Sequence, residues 1–315
     1  MYKIPGHHHI SMITKNASEN NHFYRDVLGL RRVKITVNQD EPSMYHLFYG
    51  DKTGSPGTEI SFFEIPQVGH THRGTNAITK IGLLVPSEAS LNYWKARLEE
   101  HGVEHSDITT YANHPALHFE DPEGLRMVLL VSNGAKVEHW ETWEKSDVPA
   151  HHQIQGMGSV EMTVRRLDKL ASTLTGMFGY TEVSRSDEEA IFQSIEGEVF
   201  GEIVVKYLDG PREKPGRGSI HHLAIRVKND TELGYWEEQV KHRGFHSTGI
   251  VDRYYFKSLY FRESNGILFE IATDGPGFTV DGDDIETLGE KLVLPPFLED
   301  RRVEIEKILK PIEEY

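Results

Sequence analysis

The chain has 315 residues, of which 37% are hydrophobic and 26% are charged, with a formal net charge of −15 and no cysteine. This length predicts two domains of ordinary size, no run approaches the ~20 apolar residues that a membrane helix needs, and the negative charge argues against nucleic-acid binding. The lack of cysteine excludes disulfides and thiolate metal ligands, and together with an N-terminus unlike a signal peptide it makes a cytoplasmic location the simplest expectation.

The first part of the chain predicts two β-α-β-β-β units. The first unit begins with a strand at His7, and its helix has Ser18 as the predicted N-cap and ends at Gly29. Three further strands are expected over 32–37, 44–49 and 59–65. The second unit repeats this order, with a strand, a helix and a final strand over 78–85, 87–101 and 125–131.

The second part of the chain repeats the same pattern after a polar stretch. Residues 133–153 predict an interdomain linker, and the third and fourth units begin near Gly158 and at Ile220. The predicted fold class is α+β, with four βαβββ units in two domains. The expected domains are 1–132 and 154–275, followed by a C-terminal extension, 276–315, with an amphipathic helix near 299–310.

The second and fourth units are copies of each other at a constant offset of 142 residues. The matched pairs are Trp94 and Trp236, Gly102 and Gly244, Phe119 and Phe261, and Gly124 and Gly266. The same offset matches Lys80 with His222 and Val128 with Glu270. Because the copies differ where a cation could bind, we expect one to be a scaffold and the other to carry chemistry.

Two histidine pairs and one glutamate are the candidate site residues. His8-His9 and His221-His222 each lie at the start of an apolar strand, and Glu270 lies within another. Since neighbouring residues in a strand point to opposite faces, one histidine of each pair is expected to face a cavity, namely His9 and His222. A buried carboxylate needs a cationic partner or a metal. Two imidazoles and one carboxylate match the ligand set of non-haem Fe(II), with Mn(II) as a second candidate.

Each of these residues also has an ordinary structural explanation. A histidine at the start of a strand is more often hydrogen bonded or partly exposed than bound to a metal, and a lone glutamate in an apolar strand is commonly on an exposed face or at an edge. Four other histidines are given no role: His70, His72, His114 and His118.

The repeated units, the strand-opening histidine and the segment Phe23–Leu30 (FYRDVLGL) resemble the vicinal oxygen chelate superfamily, which includes glyoxalase I and the extradiol dioxygenases. The resemblance implies glyoxalase-like domains. Histidines in units one and four, with a glutamate in unit four, are similar to the hydroquinone ring-cleaving dioxygenases and to those of the MhqO type. Ser159, where catechol enzymes have a third-unit histidine, argues against the catechol subtype.

This resemblance implies that His9, His222 and Glu270 bind Fe(II), with units one and four facing each other around one site. The residues expected to act around the metal are His8, His221, Arg253 and Tyr260. Ser11 takes the place of a threonine in a related enzyme. The implied reaction inserts O2 next to a hydroxylated carbon of a small aromatic substrate. Self-association is a further expectation, since repeat proteins expose sheet edges.

Two alternatives remain open from the sequence. One is a glyoxalase-like isomerase or lyase that uses Zn, Ni or Mn as a Lewis acid, with Glu64 in Phe62-Phe63-Glu64-Ile65 as a candidate fourth ligand. The other is a metal-free protein that sequesters a small molecule, which would have no use for His9, His222 and Glu270 together.

Overall fold

The computed structural model describes residues 2–134 and 138–313, and these contain the four predicted β-α-β-β-β units. Unit one has β1 His7–Thr14, α1 Ala17–Asn21 continuing into a π-helical turn at His22–Val27, β2 Arg31–Val37, β3 Tyr45–Gly50 and β4 Glu59–Glu64. Unit two has β5 Ala77–Val85, α2 Glu88–Glu100, β6 Thr109–Tyr111, β7 His114–Glu120 and β8 Arg126–Val131. Unit three has β9 Met157–Val164, α3 Leu167–Gly176, β10 Thr181–Arg185, β11 Glu189–Gln193 and β12 Glu202–Tyr207. Unit four has β13 Ile220–Val227, α4 Asp230–His242, β14 Ser247–Asp252, β15 Phe256–Arg262 and β16 Leu268–Pro276.

The strands form two eight-stranded sheets, in the orders β14-β15-β16-β13-β1-β4-β3-β2 and β10-β11-β12-β9-β5-β8-β7-β6. Unit one therefore shares a sheet with unit four, and unit two shares a sheet with unit three. The antiparallel pairs β1–β13 and β5–β9 join the units within each sheet. The predicted α+β fold class with repeated βαβββ units is confirmed. Each sheet therefore combines one unit from residues 1–132 with one unit from residues 154–275.

The first helix begins earlier than predicted. Its N-cap is Asn16 rather than Ser18, because Asn16 has extended backbone angles and its side chain accepts hydrogen bonds from the amides of Ser18, at 3.0 Å, and Glu19, at 3.3 Å. Gly29 follows the π-helical turn with a φ of +66°, a left-handed conformation that favours glycine. Among the residues described, no helix is long and apolar enough to span a membrane.

The C-terminal extension packs one side of a short helix on the body. The helix α5, Arg302–Ile308, follows a 3₁₀ turn at Pro296–Arg301 and is shorter than predicted. Ile305 and Leu309 are buried in the core, whereas Val303 and Ile308 are 68% and 54% exposed. The helix therefore packs its buried face on the body and leaves the opposite face exposed.

Trp94 in α2 and Trp236 in α4 occupy the repeat-related positions and are both fully buried in the core. The Trp94 indole Nε1 donates a hydrogen bond to the carbonyl of His152 at 2.8 Å. The Trp236 indole has no hydrogen-bond partner within the described part of the chain. The linker that contains His152 is therefore fixed to the second unit by an interaction that the fourth unit lacks.

Replacing each tryptophan by phenylalanine should separate packing from hydrogen bonding. Both substitutions remove the same atoms, but only Trp94→Phe breaks a hydrogen bond, so we expect it to lower the free energy of unfolding by about 1 kcal/mol more than Trp236→Phe. Urea unfolding followed by circular dichroism measures the difference. Equal losses, or a larger loss for Trp236→Phe, would contradict the assignment.

Candidate metal centre

Both histidine pairs lie at β-bulges in the antiparallel pair β1–β13. His7 lies opposite Ile225 and His9 opposite Ala224, so His8 is an extra residue. Ser11 lies opposite His222 and Met12 opposite Ile220, which leaves His221 as the extra residue of the other strand. A bulge interrupts the alternation of side chains. The expectation that one histidine of each pair faces a cavity holds for the first pair, because His9 lines the cavity described below and His8 does not. It is wrong for the second pair, in which His221 and His222 both line that cavity.

His9, His222 and Glu270 come together at the centre of the first sheet. The Glu270 Oε2 lies 3.1 Å from Nε2 of His9 and 2.8 Å from Nε2 of His222, and the two Nε2 atoms are 3.4 Å apart. Strand β16 runs parallel to β13 and places Glu270 opposite Ala224, two residues after His222. All three side chains are buried. They form a group whose ligand atoms could hold a metal ion.

The hydrogen bonds of the first pair fix the orientation of the His9 ring. His8 Nε2 lies 3.0 Å from the carbonyl of Thr273, which can only accept, so this nitrogen carries the proton. Burial lowers the pKa of His8 to about 3, and the ring is therefore neutral, with Nδ1 as an acceptor. Since His8 Nδ1 is 3.0 Å from His9 Nδ1, His9 donates there and presents its Nε2 to Glu270.

The second pair repeats this arrangement. The Nδ1 atoms of His221 and His222 are 2.8 Å apart, and burial lowers the pKa of both rings, that of His221 to about 4. Burial alone would raise the pKa of the Glu270 carboxyl, but the two adjacent rings outweigh it and hold this pKa well below its usual range. Glu270 is thus a buried carboxylate in contact with two imidazoles, and its Oε2 accepts no hydrogen bond from any residue in 2–134 or 138–313. This donor set fits a divalent metal ion.

A second group of possible ligands, His8, His9 and Glu59, lies behind the first. Glu59 Oε1 is 3.9 Å from His8 Nδ1, and burial raises the pKa of Glu59 well above its usual range, which disfavours the charged form that a metal ligand needs. The Nδ1 atoms of His8 and His9 already contact each other. The group of His9, His222 and Glu270 is the better candidate.

A cavity of about 410 Å³ opens onto His9 and His222. This volume suits a small ligand. Aromatic and aliphatic side chains form much of its wall, and the polar groups that line it include Thr36, Asp40, Thr248, Arg253 and Tyr260. The lining includes Met44, His46, Phe48, Phe63, Tyr255, Phe256 and Leu268.

The structure separates the four residues that were expected to act around the metal. His221, Arg253 and Tyr260 line the cavity, whereas His8 does not. Both ring nitrogens of His8 are engaged, so its position suits holding the His9 ring rather than proton exchange with a ligand. The Tyr260 ring lies 5.7 Å from the His222 ring, and burial raises the Tyr260 pKa, so the phenol keeps its proton.

Arg253 joins the two edges of the first sheet across the cavity. Its guanidinium lies 5.4 Å from the centre of the Tyr260 ring and donates to both carboxylate oxygens of Asp40, at 3.1 and 3.0 Å. The Gln39 amide donates to the Arg253 carbonyl at 2.7 Å. The segment after β2 thus holds a fixed positive charge at the cavity wall.

The candidate fourth ligand, Glu64, lies elsewhere. Its Oε1 accepts a hydrogen bond from the amide of Ala17 at 2.8 Å, at the start of α1. The position equivalent to Glu270 in unit one is Ser61, because Ser61 lies opposite Ser11, two residues after His9, as Glu270 lies opposite Ala224. The Ser61 hydroxyl lies 2.7 Å from that of Ser11.

Sequence reasoning missed Ser258, His46 and Ser61. The Ser258 hydroxyl donates to Glu270 Oε1 from the neighbouring strand β15, and His46 lines the cavity from β3. Ser258 could have been found from strand alternation, since it lies two residues before Tyr260 and shares its face. Ser61 and His46 required the pairing of β3 and β4, for which no sequence signal exists.

The second sheet has a different arrangement at the equivalent place. Lys80, the repeat partner of His222, lies 3.4 Å from Glu161, which also accepts a hydrogen bond from Tyr111 at 2.9 Å and lies 3.1 Å from Lys206. Ammonium groups therefore balance the buried carboxylate there. In the part of the chain described, both groups that could hold a metal lie in the first sheet.

Comparison with known proteins gives matches over nearly the whole chain. The sequence model of the Glyoxalase/Bleomycin resistance protein/Dioxygenase superfamily matches residues 6–129 and 156–271. MhqA of Bacillus subtilis (strain 168), whose name describes a ring-cleaving dioxygenase, is 48% identical over 317 residues, covering 99% of this chain and 100% of that protein. The chlorohydroquinone/hydroquinone 1,2-dioxygenase of Sphingobium indicum is 28% identical, with 96% of this chain and 95% of that protein covered.

A solved structure supports the same assignment. A crystal structure of a Bacillus subtilis protein, described as a dioxygenase, matches with a TM-score of 0.91 at 34% identity and covers 99% of both chains. The resemblance inferred from the sequence is confirmed. The chain belongs to the Glyoxalase/Bleomycin resistance protein/Dioxygenase superfamily.

Proposed function

We propose that the protein is a non-haem Fe(II)-dependent ring-cleaving dioxygenase that acts on hydroquinone-type aromatics. The observation that carries the proposal is the convergence of the His9, His222 and Glu270 ligand atoms beside an aromatic-lined cavity. The names of two relatives, MhqA and the Sphingobium indicum hydroquinone dioxygenase, support the ring-cleaving reaction and the substrate class.

His9, His222 and Glu270 would hold the metal. Two imidazoles and one carboxylate, without thiolate, are the ligand set of non-haem Fe(II), and Mn(II) accepts the same donors. Fe(II) bound at this site supplies the path by which electrons pass from the substrate ring to dioxygen. One anionic and two neutral ligands leave the divalent ion a net positive charge, which favours binding of a deprotonated phenol.

The residues of the cavity wall provide hydrogen-bond donors and a positive charge for the substrate oxygens. Tyr260 keeps its proton and can donate a hydrogen bond to a substrate oxygen. His221 is neutral beside the cavity, and since its Nδ1 accepts from His222, its Nε2 carries the proton and can donate a hydrogen bond to a substrate oxygen. Arg253 holds a positive charge near the Tyr260 ring and favours negative charge developing on the substrate.

The Lewis-acid alternative finds less support at this site. Its second glutamate would belong at Ser61, which is a serine, and the Glu64 carboxylate is bound to the amide of Ala17. A metal-free binding protein would gain nothing from a buried Glu270 carboxylate that faces two imidazoles.

Oxygen consumption tests the proposal directly. Protein loaded anaerobically with Fe(II) is expected to take up O2 on addition of hydroquinone or methylhydroquinone, faster than with catechol. His9→Ala should lower the rate by about 100-fold or more. Loss of a residue that orients a metal ligand typically lowers activity by about 10–100-fold, and loss of the ligand itself should lower it at least as much. His118→Ala, which changes a histidine of the second sheet, is the matched control and should retain the wild-type rate. Iron binding without oxygen uptake on any of these phenols would contradict the proposal.

A further inference from the structure

His46 is a histidine of the cavity wall that belongs neither to the ligand set nor to the groups proposed to contact the substrate oxygens. It extends from β3 and its ring lies between Phe48 and Phe63, with both ring centres 4.1 Å away. Its Nε2 lies 3.1 Å from the hydroxyl of Ser61, which in turn contacts Ser11 at 2.7 Å. Two aromatic rings and one hydrogen bond thus fix the plane of the imidazole.

The position of His46 is related to the metal centre by the repeat. In β3 and β4, His46 lies opposite Phe63, two residues after Ser61. In β15 and β16, Ser258 lies opposite Ala272, two residues after Glu270. His46 and Ser61 therefore occupy in unit one the positions that Ser258 and Glu270 occupy in unit four. Unit four presents a carboxylate to the metal position, whereas unit one presents an imidazole to the cavity.

The other ring nitrogen of His46 is available to a ligand. Within residues 2–134 and 138–313, Nδ1 has no hydrogen-bond partner, and the side chain borders the cavity. Burial, with the nearby His9 and His222, lowers the pKa of His46 well below its usual value, so the ring is neutral and keeps one acceptor nitrogen.

The distance from the metal centre matters for the substrate. In the sheet order, β4 separates β3 from β1; along β4, His46 lies opposite Phe63 and His9 lies opposite Glu59. The backbones of His46 and His9 are therefore two strand spacings apart across the sheet and four residues apart along it, about 16 Å in all. A ring bound through one oxygen beside His9 and His222 can present a hydroxyl on its far side to β3. A hydroxyl on the adjacent carbon would stay near the metal centre.

We propose that His46 recognises, through Nδ1, the hydroxyl of a 1,4-dihydric phenol that lies opposite the metal-bound oxygen. His46 is then a specificity residue that selects hydroquinones over monohydric phenols and catechols. The inference rests on the proposed function, since it names the substrate group that a residue of the same cavity binds. Phe48 and Phe63 hold the imidazole in place and also provide the apolar surface against the substrate ring.

Binding of two matched probes tests this role without turnover. Hydroquinone and 4-fluorophenol are similar in size and each has one phenol for the metal, but only hydroquinone has a second hydroxyl. Anaerobic calorimetric titration of the Fe(II)-loaded protein should show about tenfold tighter binding of hydroquinone, the value of one hydrogen bond. His46→Phe should reduce this ratio to about one with 4-fluorophenol binding unchanged, and His46→Gln should restore part of it.

The outcomes distinguish the two proposals. If the wild-type protein consumes oxygen with hydroquinone but His46→Phe keeps the tenfold ratio, the role of His46 is wrong and the proposed function stands. If the wild-type protein consumes no oxygen with any dihydric phenol, the proposed function is wrong, whatever the ratio. Iron content of His46→Phe equal to that of the wild type shows that the substitution leaves the metal centre intact.

Discussion

Glu270→Gln is expected to abolish metal retention and, with it, oxygen uptake. The amide has the size of the carboxylate but lacks its charge, so the cation would face two neutral imidazoles alone, at a position where no other carboxylate of the described chain completes the group. We expect the iron content after gel filtration to fall from about one ion per chain to near zero, and the rate of oxygen uptake to fall by more than about 100-fold.

Unfolding of the metal-free proteins separates this effect from a loss of fold. In the absence of metal, His9 and His222 hold the pKa of Glu270 well below its usual range, so Glu270→Gln should lower the free energy of unfolding of the metal-free protein while leaving it folded. Glu64→Gln is the matched control, because it changes a carboxylate of unit one that binds a backbone amide, and it should retain iron. Retained iron and activity in Glu270→Gln would remove Glu270 from the ligand set.

The sequence predicted the units of the fold better than their pairing. Internal repeats, helix-ending glycines and strand periodicity identify each β-α-β-β-β unit because these signals are local. The partner of each opening strand depends on long-range pairing, and β1 pairs with β13 from the far end of the chain. No local sequence pattern specifies this pairing. Each sheet combines one unit from the first half of the sequence with one unit from the second half.

The candidate site was predictable where the two repeat copies differ. Val128 occupies in unit two the position that Glu270 occupies in unit four. A charged residue at this position is therefore not required for packing. The contacts within each histidine pair were not predictable, since a bulge at His8 or His221 is a property of the strand pairing. For the same reason the sequence suggested Glu64, by its local similarity to the segment around Glu270, whereas strand register places Ser61 there.

Lys34→Ala should lower the free energy of unfolding by more than a substitution that breaks an exposed ion pair. Lys34 in β2 is fully buried, and its Nζ lies 2.7 Å from Asp281 and 2.9 Å from Asp283 of the C-terminal extension. The alanine would leave two largely buried carboxylates without their cation, which costs about 3–5 kcal/mol. Lys52→Ala is the control, because Lys52 pairs with the exposed Glu144 and should lose less than about 1 kcal/mol. Urea unfolding of both variants measures the two values.

The pH dependence of the same variants tests whether charge is the cause. Burial would raise the pKa of Asp283, but Lys34 and Lys291 outweigh it and hold the pKa below its usual value. A carboxyl with a lowered folded pKa stabilises the protein above its unfolded pKa and loses this contribution as the pH falls through the folded pKa. The stability difference between wild type and Lys34→Ala should therefore shrink in acid. A difference that stays constant with pH would mean that Lys34 acts through packing, for instance against the Tyr255 ring 5.4 Å away, rather than through its charge.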